Sequence, residues 1–203
     1  MAQIGFTAQN YAIRVTERQG DLALYAIFRK NLLMNHLSLL QIKNLVRKKA
    51  MLISAPNNYL PSFGKPTYDA HPHIELNNQK YHYVILERGK ESERRSTPDL
   101  EEFFYWIFKA ITWSMAVDFE LSNRIIGEDC RRMIFQKQSE LLGALDQNWQ
   151  RRFGSETAQL LQQFPFDDVA GLRASYSGRL RKKGFAESTI EKLAFRKFPK
   201  VVP

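Results

Sequence analysis

The order of apolar and polar positions divides the chain into stretches of different period. From His36 to Ile53, the residues Leu39, Ile42, Val46, Ala50 and Ile53 recur at spacings of three and four. That interval gathers side chains on one face of an α-helix and leaves Lys43, Arg47 and Lys48 elsewhere on its surface. Pro56, Asn57, Asn58, Pro61, Gly64 and Pro66 then read as a loop. Between His71 and Glu87 the period falls to two, which predicts a β-hairpin turning at Asn77-Asn78, since asparagine tolerates the positive φ of two-residue turns. This turn sets Glu75 opposite Lys80, Ile74 opposite Tyr81 and His73 opposite His82. One face then carries Ile74, Leu76, Tyr81, Tyr83 and Ile85, suited to packing on helices, and the other carries His71, His73, Glu75, Lys80 and His82.

Beyond the hairpin the period lengthens again. Thr97-Pro98-Asp99 reads as a helix start, with a hydroxyl cap, proline in the first position, and Asp99, Glu101 and Glu102 where they favour the helix dipole. This helix is predicted to reach Ile126. Leu100, Phe104, Ile107, Phe108, Ile111 and Met115 make one apolar stripe; Trp106, Ala110, Trp113 and Val117 make a second on nearly the opposite side, the pattern of a central helix. A further helix is predicted from Glu128 to Arg152, stopped by Gly154, then a shorter one ending at Phe164-Pro165. Two more follow, Asp168 to Lys183 and Glu187 to Phe198, separated by Gly184. Residues 1–33 show no settled period, with Gly20-Asp21 as a break and a short apolar stretch from Leu22 to Phe28. The fold class is therefore α+β: a small antiparallel hairpin or sheet packed on a mainly helical C-terminal half with one long central helix.

Composition narrows the class. With 203 residues, 44% of them hydrophobic and 12% aromatic, the chain has the apolar content to offset ordering entropy, and its length suits one domain with appendages. No apolar run approaches the roughly 18 to 20 residues that cross a bilayer, and no signal peptide is recognisable, so a cytoplasmic protein without membrane contact is expected. One cysteine, Cys130, allows no internal disulfide.

The net charge of +9 suggests nucleic acid until it is divided along the chain. Residues 34–168 are neutral, with 17 charges of each sign, whereas residues 169–203 carry +7 and residues 1–33 carry +2. This gives three parts: an N-terminal extension, 1–33; an α+β core, 34–168; and a basic helical extension, 169–203. Met34 is an alternative start to Met1. The densest basic run, Arg179, Arg181, Lys182 and Lys183, reads as a solvated helix, or as a contact for phosphates or an acidic protein.

Candidate chemistry is sparse. His71, His73, Glu75 and His82 would share a strand face and could hold zinc, although a solvent-facing polar surface is the plainer reading. Cys130 falls on a helical face with Ile134 and reads as a small buried hydrophobe rather than a nucleophile. Asp118 falls at the centre of the long helix's apolar face and is expected to pair with Arg131 or Arg132, with a functional carboxylate as the alternative. The run from Glu87 to Arg95 reads as a linker between hairpin and helix, or as a recognition loop in which Glu87, Arg88, Glu91, Arg94 and Arg95 engage a protein partner. The Trp106 and Trp113 stripe is core, or an interaction surface if exposed. No catalytic constellation, phosphate loop or paired-cysteine site is present in the sequence, so neither a catalytic residue nor a metal or cofactor is expected.

One set of residues resembles a known family. His73-Ile74-Glu75, Tyr81-His82-Tyr83-Val84-Ile85, Glu87-Arg88-Gly89-x-Glu91, Arg95-x-Thr97-x-Asp99-Leu100 and Tyr105-Trp106-Ile107-Phe108 occur in an order similar to the bacterial immunity protein 63 family. Glu120-x3-Arg124, Asp129-x-Arg131-Arg132-x2-Phe135-x2-Gln138, Trp149-x-x-Arg152 and Pro165-Phe166-Asp167-Asp168 continue it, so that the likeness runs from about His36 to Asp168 and includes Leu60-Pro61 and Gly64. The resemblance implies a non-enzymatic antitoxin of a polymorphic toxin system, used in contact-dependent inhibition, that protects the producing bacterial cell by binding a cognate toxin domain. It carries over no catalytic or toxin-contacting residue. A nucleic-acid-binding protein using the basic C-terminal segment is the alternative.

Overall fold

The structure is a computed structural model that describes residues 37–66 and 69–200. Residues 1–36, which hold the N-terminal extension and the possible start at Met34, lie outside the described residues. Helix α1 (Leu39–Leu52) begins at Ser38, whose hydroxyl accepts from the Gln41 amide while Gln41 returns a bond to the Ser38 backbone. This reciprocal cap satisfies two of the amides a helix start leaves open. A single 3-10 turn at Asn57–Tyr59 leads to a two-residue strand, β1 (Ser62–Phe63), and then to β2 (Asp69–Asn77), β3 (Lys80–Glu87) and β4 (Lys90–Thr97). The sheet order is β1-β2-β3-β4, with β1 parallel to β2 and the other pairs antiparallel.

The hairpin forms with its turn one residue later than the asparagine pair suggests. Asn78 and Gln79 take the positive φ values, 44° and 60°, and Asn77 pairs with Lys80, Leu76 with Tyr81, Glu75 with His82, and Ile74 with Tyr83. Moving the turn by one residue shifts each cross-strand partner by two, so every side chain keeps its predicted face. Ile74, Tyr81 and Tyr83 are buried against helices as expected. The opposite face differs from expectation: His73, His82 and Val84 are buried too.

The run predicted as a linker, Glu87 to Arg95, is not one. Arg88 and Gly89 turn the chain with φ values of 51° and 76°, and Lys90–Thr97 returns as the outer strand β4. Polar residues of both signs suit an outer strand, where charge discourages a further chain from pairing.

Thr97 does not cap the long helix. Its hydroxyl accepts from the Asp99 amide, and Asp99 is the cap of α2 (Leu100–Asn123), accepting from Glu101. The predicted Glu128 to Arg152 helix is two: α3 (Cys130–Leu145) and α4 (Gln147–Gln163), divided at Asp146, whose carboxylate accepts from the Asn148 and Trp149 amides. Gly154 lies inside α4 and stops nothing. The tail folds as α5 (Ala170–Lys182) and α6 (Glu187–Lys197), separated at Gly184 with φ 81°.

The core forms where α1, the sheet and α2 meet α3 and α4. Ile42 and Val46 of α1, Ile74 and Tyr81 of the sheet, Phe103, Phe108 and Ile111 of α2, Leu142 of α3 and Trp149 of α4 are all buried. Tyr81 stacks on Phe103 with centroids 5.1 Å apart, and Phe108 on Trp149 at 5.6 Å. Leu180, Ile190 and Ala194 are buried in the α5–α6 hairpin, outside this cluster. The architecture is α+β, with a four-stranded mixed sheet and six α-helices among the described residues.

Candidate functional site

The residues singled out on the β3–β4 hairpin do not form one patch. Alternation along β4 sends Glu93, Arg95 and Thr97 to the helix side of the sheet, opposite Ile85, Tyr83 and Tyr81, and sends Arg94 and Ser96 to the other side, opposite Val84 and His82. Arg94 there bridges two carboxylates, donating to Glu91 at 2.8 to 3.0 Å and to Glu75 at 2.8 Å, and Glu75 in turn holds His73 Nε2 at 2.9 Å. The Glu91 carboxyl is held below its ordinary value by Arg94. At Glu75 desolvation pushes upward, but the bonds from Arg94 and His73 outweigh it and the net direction is down. Glu87 and Arg88 are exposed at the turn.

His82 is engaged at both ring nitrogens, Nδ1 with Ser96 Oγ at 2.6 Å and Nε2 with Asn77 Oδ1 at 2.6 Å, and His71 Nε2 meets the Leu60 carbonyl at 2.8 Å. The register places Glu75 and not His73 opposite His82. Among the described residues, no three His, Cys, Asp or Glu side chains gather as metal ligands.

On the helix side, Arg95 opens onto a cleft of about 510 Å3 between β2, β3 and β4 and the helices α2, α3 and α4. Its walls are aromatic: Tyr83 from β3, Trp106 and Trp113 from α2, Phe135 from α3 and Phe153 from α4, with Tyr59 at one end. The tryptophan stripe is divided: Trp106 and Ala110 pack against the core, and Trp113 is exposed. Trp106 is half-buried and Trp113 is 44% exposed, one on each side of Ala110.

Charges at the cleft are already paired. Arg95 bonds Glu93, and its guanidinium lies 6.0 Å from both the Tyr83 and Trp106 rings. Burial pushes the Tyr83 hydroxyl up to about 12, with Glu93 adding to the effect and Arg95 opposing it. Glu156 of α4 accepts from Tyr105 at 2.8 Å, Lys109 at 2.5 Å and Arg152 at 3.0 Å. Desolvation would raise this carboxyl, but those three donors hold it below its ordinary value. Arg152 also grips Glu102, at 2.9 Å through Nη2, and sits 3.9 Å over the Tyr105 ring. This network ties α2 to α4 at the cleft rim.

A second network fixes α3. Asp129 caps α3 and accepts from the Arg131 side chain and the Asp167 amide, while its own amide donates to Asp168. Asp168 takes Arg132 in a two-pronged pair at 2.8 and 2.9 Å, which with the Asp129 amide draws its carboxyl down to about 2. Arg132 lies 4.2 Å over Phe166, which packs on Phe135 of the cleft.

Two expectations are corrected here. Asp118 is exposed and accepts from the Tyr59 hydroxyl, not from Arg131 or Arg132, because those arginines belong to Asp129 and Asp168. The carboxylate that α2 does cover is Glu120, 2% exposed and paired with Arg124 one turn on, as the Glu120-x3-Arg124 spacing permits. Cys130 is exposed, since it is the first residue of α3, a full turn before Ile134 enters the core. Sequence reasoning also missed Lys109, Glu156, Phe153 and Gln138 as cleft residues. Gln138 left a signal, a polar side chain one turn from both Ile134 and Leu142 on the buried face of α3.

In the tail, Arg173 is buried between Asp167 and the Phe198 carbonyl, and Arg181 pairs with Glu187. Arg179, Lys182, Lys183, Lys192 and Arg196 are exposed. No helix among the described residues is long and apolar enough to cross a membrane.

Comparison with known proteins supports the resemblance over part of the span quoted above. No curated protein and no solved structure matches the chain. The model of the family Immunity protein 63 matches residues 77–159, a stretch that contains β3, β4, α2 and α3 whole and most of α4, and so most of the elements that wall the cleft, which β2 and the turn at Asn57–Tyr59 also line. Over residues 77–159 the chain is similar to the immunity protein 63 family.

Proposed function

We propose that this chain is the immunity protein of a bacterial polymorphic toxin system, acting in the cytoplasm of the producing cell, where it binds the active domain of its cognate toxin and blocks it without turnover. The observation that carries this reading is the family match over residues 77–159, together with its coincidence with the elements around the aromatic cleft.

The contact surface we assign is the outer strand β4 with its turn, through Glu87, Arg88, Glu91, Arg94 and Arg95. These side chains are exposed or half-exposed, and their ion pairs lie at the surface, where a pair is worth only about 0 to 1 kcal/mol. A partner's carboxylate or guanidinium can therefore replace the internal one at small cost. Arg95 stands at the cleft mouth, so contact with β4 continues onto the aromatic walls. Aromatic and arginine side chains together are the composition of energetically dominant protein contacts.

The test is co-expression with the toxin domain encoded beside this gene. Restored growth and a co-purifying complex are expected; a toxin that kills equally with and without this chain, and forms no complex, removes the reading.

A further inference from the structure

Gln138 sits where the apolar face of α3 calls for a hydrocarbon. It is 1% exposed, its Nε2 donates to the Lys109 carbonyl at 2.8 Å and lies 3.4 Å from Thr112 Oγ1. The orientation of its amide follows, since the carbonyl of Lys109 can only accept and must face the nitrogen. Gln138 Oε1, equally buried, has no hydrogen-bond partner among the described residues. Gln138 also lines the aromatic cleft. A buried acceptor left unpaired is costly; Oε1 is covered in this structure, so a donor entering through the cleft recovers that cost by parting the side chains that cover it.

The surroundings restrict what the donor can be attached to. The walls at Tyr83, Trp106, Trp113, Phe135 and Phe153 favour a flat apolar group. The charged residues at the rim are paired, Arg95 with Glu93 and Lys109 with Glu156; a charged partner group can exchange into these surface pairs, but one carried past them to the aromatic walls would lose its water with no counter-ion there. A cleft of about 510 Å3 has room for such a side chain and part of the loop that presents it.

We propose that this cleft receives one neutral aromatic side chain of the partner protein, a tyrosine or tryptophan, with its ring between the aromatic walls and its O–H or N–H donating to Gln138 Oε1. The proposal rests on the immunity-protein reading for the identity of the partner as a protein, and it adds the anchor chemistry and a specificity-determining residue. Gln138 selects for the donor; the walls select for the ring.

The test uses the full chain and two probes of nearly equal shape, p-cresol, the tyrosine side chain, and toluene, the phenylalanine side chain. Nuclear magnetic resonance follows the Gln138 amide and the Trp106 and Trp113 indoles during titration. A cleft that only collects apolar surface binds toluene better, because toluene is the more hydrophobic. The proposal expects saturable shifts at these groups and p-cresol bound about fivefold or more tightly than toluene, in line with one hydrogen bond to a buried acceptor. Gln138→Leu should reverse the preference. If that variant does not fold, Trp113→Ala, which removes an exposed wall, should weaken both probes. Toluene binding as well as p-cresol, shifts absent from the cleft, or a preference unchanged in Gln138→Leu overturns the proposal. The titration contains no toxin, so its failure leaves the immunity reading standing, and failed rescue by co-expression leaves the cleft chemistry standing.

Discussion

Replacing Asp129 with alanine disconnects the start of α3 from the turn after α4, and the consequence can be worked from the contacts. The carboxylate is nearly covered, with the residue 8% exposed, and it does three things. It caps α3 through the Arg131 amide at 3.0 Å, a bond whose loss costs about 1 kcal/mol. It accepts the Asp167 amide at 2.8 Å, and an amide left without an acceptor in a partly covered site costs about 1 to 3 kcal/mol. It pairs with Arg131, a contact to be discounted towards the surface value of under about 1 kcal/mol because that arginine side chain is 27% exposed. Together these give a loss of about 3 kcal/mol, with Arg131 keeping its bonds to the Phe164 and Pro165 carbonyls. For a chain of this size that corresponds to a melting temperature lower by about 6 to 12 °C. The assay is thermal unfolding followed by circular dichroism, checked by urea denaturation. Asp129→Asn, which keeps a capping oxygen, should lose less than half as much. An Asp129→Ala melting temperature within about 2 °C of the parent would show that Asp129 does not tie α3 to the turn after α4, since the cap alone should exceed that.

Three further predictions follow from the corrected positions. Asp118→Ala should cost no more than about 1 kcal/mol in urea unfolding, because Asp118 is an exposed acceptor for Tyr59 and not a buried ion; a loss of several kcal/mol would restore the buried-pair reading. Cys130 should react fully with a thiol reagent in the folded protein, without denaturant; protection until unfolding would contradict its placement at the exposed start of α3. Asp168, Asp129, Glu102 and Glu156 all have carboxyls held below their ordinary values. Depressed folded values mean that their stabilisation is complete above the ordinary values near 4 and is lost as pH falls towards about 2, the value at Asp168. Glu101, raised by burial, works the other way but alone. Melting temperature should therefore fall between about pH 5 and pH 2; a curve flat or rising across that range would show that these pairs do not stabilise the fold.

What could be read from the sequence was whatever one element decides by itself. The hairpin faces were legible even though the turn was placed one residue early, because a two-residue change of partner preserves alternation. The start of α2 was legible to within two residues, since Thr97 and Asp99 both have side chains that accept a backbone amide two residues on, Thr97 from Asp99 and Asp99 from Glu101 in the first turn. Strand β4 was not legible: its solvent-facing positions mix both charge signs, and pairing with β3 supplies the order that hydrophobic alternation supplies elsewhere. The break at Asp146 was hidden because apolar residues keep helical spacing through Leu145 and Trp149, and an aspartate followed by two open amides was the available sign. The cleft was out of reach for a different reason. Arg95, Trp106, Gln138 and Glu156 come from four elements, and only their packing brings them around one space. Arg95 and the tryptophan stripe were each noticed, but nothing in either pattern says that they face each other.

In the function we propose, the chain inhibits by occupying its partner and not by acting on it. Titrating the purified chain into a fixed concentration of the neighbouring toxin domain, well above the dissociation constant, and measuring residual toxin activity tests this directly. Linear loss of activity that reaches zero at a fixed molar ratio, with intact toxin recovered after dissociation, is the predicted result. Complete inactivation by a small fraction of that amount, or no loss of activity with the chain in excess, would contradict it.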